Sequence, residues 1–320
     1  MSAVPATSEH QRALALFGST VRILVGPPAE KGAPDPRLAA LHVETVLRLF
    51  QSRLSRFEPN SELSRLNAAL DDEVEVSPLL ARAVSAAVLA AERSDGLVDP
   101  TLLPALERSG YAASRAGVPS ASLRDALAVA PPRQPGRRRE DSGWEELSVA
   151  GSLVRRPAGL RLDLGGTAKG LAADVCGQRL GGYSSFAVDV GGDICIGGTN
   201  PGRRVVEVEH PLRASPAWRF ALSRGAVATS GLGRRLWRSG GGFAHHLIDP
   251  ATGTCAWTGV VQATAVAPSA LEAEVLAKAG LLSGPDAGLR LLEPHGGILV
   301  LDDGSVLATG ELSNVTEAAA

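Results

Sequence analysis

The stretch SFAVDVGGDICIGG, Ser185 to Gly198, decides the architecture, because it is two short apolar runs parted by a glycine pair with no helical segment between them. The habit continues in RFALSRGAVATSG (Arg219–Gly231), FAHHLIDPATG (Phe243–Gly253) and GVVQATAVA (Gly259–Ala267). One helix is expected from Pro268 to Leu282, and GGILVLDDGSVLATG (Gly296–Gly310) then reads as a hairpin turning at Asp302–Asp303–Gly304. Strands that come in meanders, not each followed by a helix, argue for an α+β fold with antiparallel or mixed sheets and packed helices, against a doubly wound parallel sheet.

Upstream, TVRILV (Thr20–Val25) is an opening strand and Gly26–Pro36 a Gly/Pro loop. Helices are expected from Arg37 to Phe57, from the cap Ser77–Pro78 to about Ser94, and from Leu102 to Arg108. PPRQPGRRRED (Pro131–Asp141) marks a surface loop over about 131–143; its arginines lack interleaved aromatics and acids follow at once. The reading is a disordered tail over 1–15, one domain over 16–312 and a second tail over 313–320.

A formal charge of −2 and a pI near 6.3 leave no electrostatic footprint for nucleic acid or an anionic membrane. Cys176, Cys195 and Cys255 are odd in number, far apart and without a CxxC, which favours buried reduced thiols over a disulfide framework or zinc site. No apolar run approaches the ~18 residues of a membrane span. The N-terminus shows neither secretory signal nor lipid-attachment cysteine, so a cytoplasmic location is expected.

The stretch LRLDLGGTAKGLAAD, Leu160 to Asp174, carries the first chemical signal. Leu160, Leu162 and Leu164 alternate with Arg161 and Asp163 as in a strand; Thr167 can cap a helix through Ala168, Leu171, Ala172 and Val175. Gly165–Gly166 then lie at a strand-to-helix turn, where free amides favour an anion, and Lys169 adds charge beside it. Neither GxxxxGK[ST] nor GxGxxG fits.

Six stretches occur in a telling order: RFEPNSELSRLN (Arg56–Asn67), DGLVDPTLLPAL (Asp95–Leu106), LDLGGTAKGLAAD, VDVGGDI (Val188–Ile194), VATSG (Val227–Gly231) and HHLIDPATG (His245–Gly253). In order and spacing the set resembles the ApbE-type FAD:protein FMN transferases from about Phe17 to Leu307. The resemblance implies an enzyme that binds FAD and splits its pyrophosphate with a divalent cation, Mg2+. It joins FMN to a Thr or Ser of a partner protein, which this sequence leaves unidentified, and releases AMP. By resemblance, Asp163, Gly165 and Lys169 hold the phosphates, Phe57, Asp99 and Thr101 the flavin and adenosine ends, and Thr229 and Ser230 the phosphate or ribose. The Gly166 carbonyl looks like a metal ligand. His246 or Asp249 is the candidate for helping to deprotonate the incoming hydroxyl. Adjacent histidines on a strand face opposite ways, so one surface His and one site His are expected at 245 and 246.

The family's C-terminal metal motif, approximately A-D-A-x-x-T-A, is met here by AEVLAKAG (Ala273–Gly280). Glu274 stands in place of the Asp and Lys278 in place of the Thr. Three readings follow. Lys278 replaces the ion, anchored by Glu274; or the two form a surface i,i+4 pair; or a metal binds through other groups such as Gly166. The first is favoured, because the helix keeps its apolar positions. The function implied is FMN transfer from FAD with an altered cation site. The alternatives are a non-catalytic flavin carrier or sensor, and an FAD pyrophosphatase giving FMN and AMP.

Overall fold

Val21, Ile23 and Val25 are buried on one face of their strand and Leu24 on the other, so both faces of that strand are covered. This computed structural model describes residues 2–3, 9–310 and 312. Eight strands, β1 (His10–Leu16), β2 (Ser19–Val25), β3 (Phe186–Val190), β4 (Ile194–Gly197), β5 (Gly225–Gly231), β6 (Val260–Ala267), β7 (Gly297–Leu301) and β8 (Val306–Thr309), form one sheet whose spatial order follows the chain. Every ladder in it is antiparallel. The runs SFAVDVGGDICIGG and GGILVLDDGSVLATG each supply two adjacent strands of it, while Arg219–Leu222 and Phe243–His245 belong to other sheets.

The helices are α1 (Pro36–Leu54), α2 (Glu62–Ala68), α3 (Pro78–Arg93), α4 (Leu103–Arg108), α5 (Leu123–Ala128), α6 (Ala168–Arg179), α7 (Ala270–Leu282) and α8 (Pro285–Leu292). Val43 and Leu47 of α1, Leu171 and Val175 of α6 and Ala273 of α7 share a core with Val21, Ile23, Val188, Val190, Ala226 and Ala228 of the sheet. On the opposite face Leu24, Ala187, Ile194 and Ile196 meet Val206, Val208 and Phe220 from the strands Arg204–Glu209 and Pro216–Leu222. No described helix is long and apolar enough to cross a membrane. All three cysteines are free thiols.

Two expectations are corrected. The tail expected over 1–15 holds a strand, because HQRALAL alternates and pairs along its whole length with β2, through a turn at Phe17 and Gly18 with φ of 55° and 66°. Residues 1, 4–8, 311 and 313–320 lie outside the described residues, and the C-terminal tail with them. Leu160–Leu164, expected as a strand, joins no sheet. The Asn67 side chain takes the place of a neighbouring strand there, bonding the Leu162 N–H at 2.7 Å and its carbonyl at 2.8 Å, while the Asp163 N–H donates to Pro100 at 2.8 Å.

The crossing of α6 and α7 positions the site. Asp174 of α6 accepts from the Ala270 and Leu271 amides at 2.7 and 3.0 Å, which places a carboxylate at the N-terminus of α7. In return Glu274 of α7 accepts from the Gly170 amide of α6 at 2.9 Å. A Cβ on Gly170 would lie 2.5 Å from the Ala270 carbonyl oxygen and 2.8 Å from Leu271 Cα, so only glycine allows this approach. Gly170→Ala gains about 1 kcal/mol of helix propensity, yet the clash is with backbone and can be relieved only by moving α7. A net loss of about 1–3 kcal/mol is expected in urea denaturation. Gly202→Ala, whose Cβ would meet nothing within 4 Å, is the control; equal stability of the two variants would show that the helices separate freely.

Candidate functional site

Gly165–Gly166 lead into α6, and Asp163 holds the turn: its Oδ1 accepts from the Gly165 amide at 2.8 Å and its Oδ2 from Arg56 Nε. Arg56 is itself fixed, donating from Nη2 to the Tyr111 carbonyl at 2.7 Å and lying 4.1 Å over the Phe57 ring and 4.8 Å over the Tyr111 ring. Phe57 and Tyr111 are tilted neighbours with centroids 5.4 Å apart, and Trp237 continues the aromatic row 5.6 Å beyond Tyr111. Thr167 occupies the N-cap of α6 without the expected side-chain cap; its hydroxyl donates back to the Leu164 carbonyl at 3.5 Å.

Two cavities meet at this turn. A narrow slot of about 120 Å³ is walled by Val98, Pro100, Leu102, Ile248, Gly166, His246 and Lys278. A wider chamber of about 380 Å³ is walled by Phe17, Gln51, Arg115, Lys169 and Arg234. Phe57, Tyr111, Asp163, Gly165 and Arg235 line both.

Beneath the turn lies a cluster of two ammonium groups and two carboxylates. Lys169 Nζ bonds Asp193 and lies 3.1 Å from Glu274 Oε1, which Lys278 Nζ reaches at 2.9 Å. Glu274 and Asp193 are 0 and 1 % exposed, so the Glu274–Lys278 pair is not a surface pair. Burial alone would raise the Glu274 carboxyl, but Lys169, Lys278 and the Gly170 amide outweigh it and hold the group well below its usual range. Asp193, buried and next to that carboxylate, is pushed up against the pull of Lys169. Burial would lower the Lys169 ammonium, but the two carboxylates raise it.

His246 lines the slot with its Nδ1 buried and without a partner. Burial first, and then the Arg235 charge, push its pKa well below the ordinary histidine value. His245 is not the surface residue expected: it is fully buried, edge-on to Trp257 at 4.9 Å, and burial drops its pKa to about 3. Asp99 Oδ1 accepts from the Thr101 amide and hydroxyl at 2.7 and 2.6 Å, and its Oδ2 is buried without a partner; burial raises its pKa. Asp99 lines the slot and Thr101 stands behind it, touched by Arg139 at 3.3 Å.

The arginine-rich stretch thus runs along the surface but is strapped to the site. Its Gly136 amide donates to Leu282 at 2.7 Å and its Arg137 amide to Asp249 Oδ1 at 2.8 Å. Asp249 is engaged on both oxygens: Oδ1 also takes the Ala251 amide and Oδ2 the Thr252 hydroxyl, so both organise a turn, and the residue lines neither cavity. Thr229 and Ser230 lie on β5. Thr229 bonds the Thr264 hydroxyl at 2.8 Å on the sheet, and neither residue lines either cavity. Asp193, Arg56, Tyr111 and Arg235 were missed. Of these, Asp193 and Arg56 lie inside the quoted motifs VDVGGDI and RFEPNSELSRLN, while Tyr111 and Arg235 carry no local signal.

Comparison with known proteins agrees with this geometry. The model of the ApbE family matches residues 17–301. The chain is 30% identical over 305 residues to the FAD:protein FMN transferase of Treponema pallidum (strain Nichols), covering 91% of this chain and 83% of that protein. It is 27% identical over 277 residues to the FAD:protein FMN transferase of Vibrio cholerae serotype O1, covering 83% and 79%. The crystal structure of the ApbE protein from Thermotoga maritima matches with a TM-score of 0.79 at 26% identity, covering 98% of this chain and 100% of that one. With the motifs in register over nearly the whole chain and the same fold beneath them, this protein belongs to the ApbE family.

Proposed function

We propose that this chain binds FAD and transfers FMN from it to a Thr or Ser hydroxyl of a partner protein, releasing AMP. One observation carries the reading: a glycine turn at a helix N-terminus, two lysines and a histidine with an unpartnered ring nitrogen border two cavities that share the Gly165 wall. The slot, with apolar walls at Val98, Pro100, Leu102 and Ile248, suits the isoalloxazine, with Phe57 and Tyr111 also lining it and the Asp99 Oδ2 ready for a ring N–H. The pyrophosphate then lies over Gly165–Gly166, where amides and ammonium groups meet its charge.

In the transfer, the acceptor hydroxyl oxygen forms a bond to the FMN phosphorus. The bond from that phosphorus to the bridging oxygen breaks, and AMP leaves with the bridging oxygen. The hydroxyl proton passes to His246. Lys169 and Lys278 stabilise the charge on the phosphate oxygens, a preorganised electrostatic role. Mg2+, which the family resemblance brings, would polarise the same oxygens, but Glu274 has its oxygens engaged by two ammonium groups and an amide.

The test is incubation with FAD and a desalted cell extract, followed by in-gel flavin fluorescence and mass spectrometry of the labelled band. The expected result is a protein carrying FMN on Thr or Ser, with one AMP released per FMN attached. AMP with free FMN and no labelled protein would assign a pyrophosphatase instead. FAD bound and recovered intact would assign a carrier.

A further inference from the structure

The place where the family resemblance puts a divalent cation is built from residues that do not fit one. Mg2+ takes near-octahedral oxygen donors at ~2.0–2.1 Å. Glu274, the carboxylate at that place, already accepts from the Gly170 amide at 2.9 Å, from Lys278 at 2.9 Å and, within an ion pair at 3.1 Å, from Lys169. Lys278 has three donors and no lone pair. Asp193, the second buried carboxylate, is bonded by Lys169. Among the described residues no three His, Cys, Asp or Glu side chains gather as a metal site.

We propose that Lys278 is the cation of this site: with Lys169 it forms a metal-free subsite for a diphosphate ester over the Gly165–Gly166 turn. The inference rests on the FAD reading above and deepens it. Position supports it first. A Cβ on Gly166 would lie 3.9 Å from Lys278 Cε and 4.0 Å from its Cδ, so the lysine stem runs alongside the turn. Lys278 borders the slot and Lys169 the chamber, and Gly165 walls both, so a ligand spanning the two cavities over Gly165 has one lysine on each side of the turn.

Charge supports it next. Two lysines face two carboxylates in the cluster, which offsets the cost of burying the charges: the Lys278 and Lys169 side chains are 12 and 19 % exposed. Glu274 takes one of the three donors of Lys278, and the others are free in chemistry to meet phosphate oxygens. Glu274 is itself fixed by the Gly170 amide, so the ammonium is held in place before a ligand arrives.

The experiment titrates the whole protein with FAD, with inorganic pyrophosphate and with Mn2+ alone, following heat for the first two and the electron paramagnetic resonance of free Mn2+ for the third. The expected result is equal FAD affinity in EDTA and in Mg2+, pyrophosphate binding in EDTA, and no stoichiometric Mn2+ site. Lys278→Met, which keeps the stem, is expected to lose FAD and pyrophosphate affinity in EDTA by about 10- to 100-fold, the size of a lost hydrogen bond to a charged group. Lys278→Thr with Glu274→Asp is expected to gain a Mn2+ site and FAD binding that requires metal. Stoichiometric Mn2+ binding by the wild type, FAD affinity that collapses in EDTA, or undiminished affinity in Lys278→Met would each overturn the proposal. Absence of FAD binding by every form would overturn the transferase reading, while the pyrophosphate and Mn2+ titrations still judge the lysine subsite.

Discussion

Glu274→Gln is expected to destabilise the fold by about 3–5 kcal/mol, the cost of removing one partner from a buried ion pair and leaving the other uncompensated. The substitution changes almost no volume, so the loss reads charge and not packing. Its size follows from what Glu274 holds: both lysines and the Gly170 amide converge on a carboxylate with no exposed surface. Removing its charge leaves Lys169 and Lys278 sharing Asp193 alone, a net positive cluster with little water to screen it. A second substitution separates this account from simple loss of a contact. Glu274→Gln with Lys278→Met restores neutrality and is expected to recover most of the lost stability, since an apolar replacement of a buried pair is often near neutral. The urea midpoint with an unchanged m-value is the readout. A loss below about 1 kcal/mol in the single variant, the size of an exposed pair, would mean that the lysines reach water when the carboxylate is gone.

How much of this was legible in the sequence depends on whether the partner of each signal lies nearby. The β3–β4 and β7–β8 hairpins were, because each pair meets through a short turn marked by glycine, whereas two strands of another sheet separate β4 from β5 and α7 and α8 separate β6 from β7. Helix starts were too: Ser77–Pro78 and Ser269 cap α3 and α7 through local hydrogen bonds. Leu160–Leu164 alternates like a strand, but its backbone is satisfied by Asn67 and Pro100, far away in sequence, and no local pattern reports that. The N-terminal HQRALAL does alternate; its neighbour β2 begins three residues after it ends, and the signal was hidden by a turn with Phe17, a bulky residue, at positive φ. At the site, Glu274 and Lys278 drew notice because they break a motif. Asp249 and Ser230 kept the motif and yet face turn and sheet, since a resemblance gives residue types and not the direction of side chains. Asp193 shows the converse: it stands in VDVGGDI, and only the fold brings it under Lys169.

Replacing His246 by Gln is expected to slow FMN transfer by about 10²–10⁴-fold, the range for loss of a general base, with FAD affinity little changed. The lower end is the better expectation. Phosphoryl transfer through a loose transition state is governed mainly by positioning and charge, and proton removal from the nucleophile comes late. Glutamine keeps a hydrogen-bonding group of similar size at the slot wall, so a loss in turnover without a loss in binding separates proton transfer from packing. The pH profile gives a second readout. Burial, then the charges of Arg235 and Lys278, lower the His246 pKa well below 6.5, so the neutral, proton-accepting form persists on the acid side of that value. Wild-type transfer is therefore expected to hold steady as pH falls through 6.5 and to fail only further into acid. A rate that halves near the ordinary histidine value and disappears below it would mean that His246 is solvated in the working complex. An unchanged rate in His246→Gln would remove it from the chemistry and leave the acceptor hydroxyl to be activated by the two lysines alone.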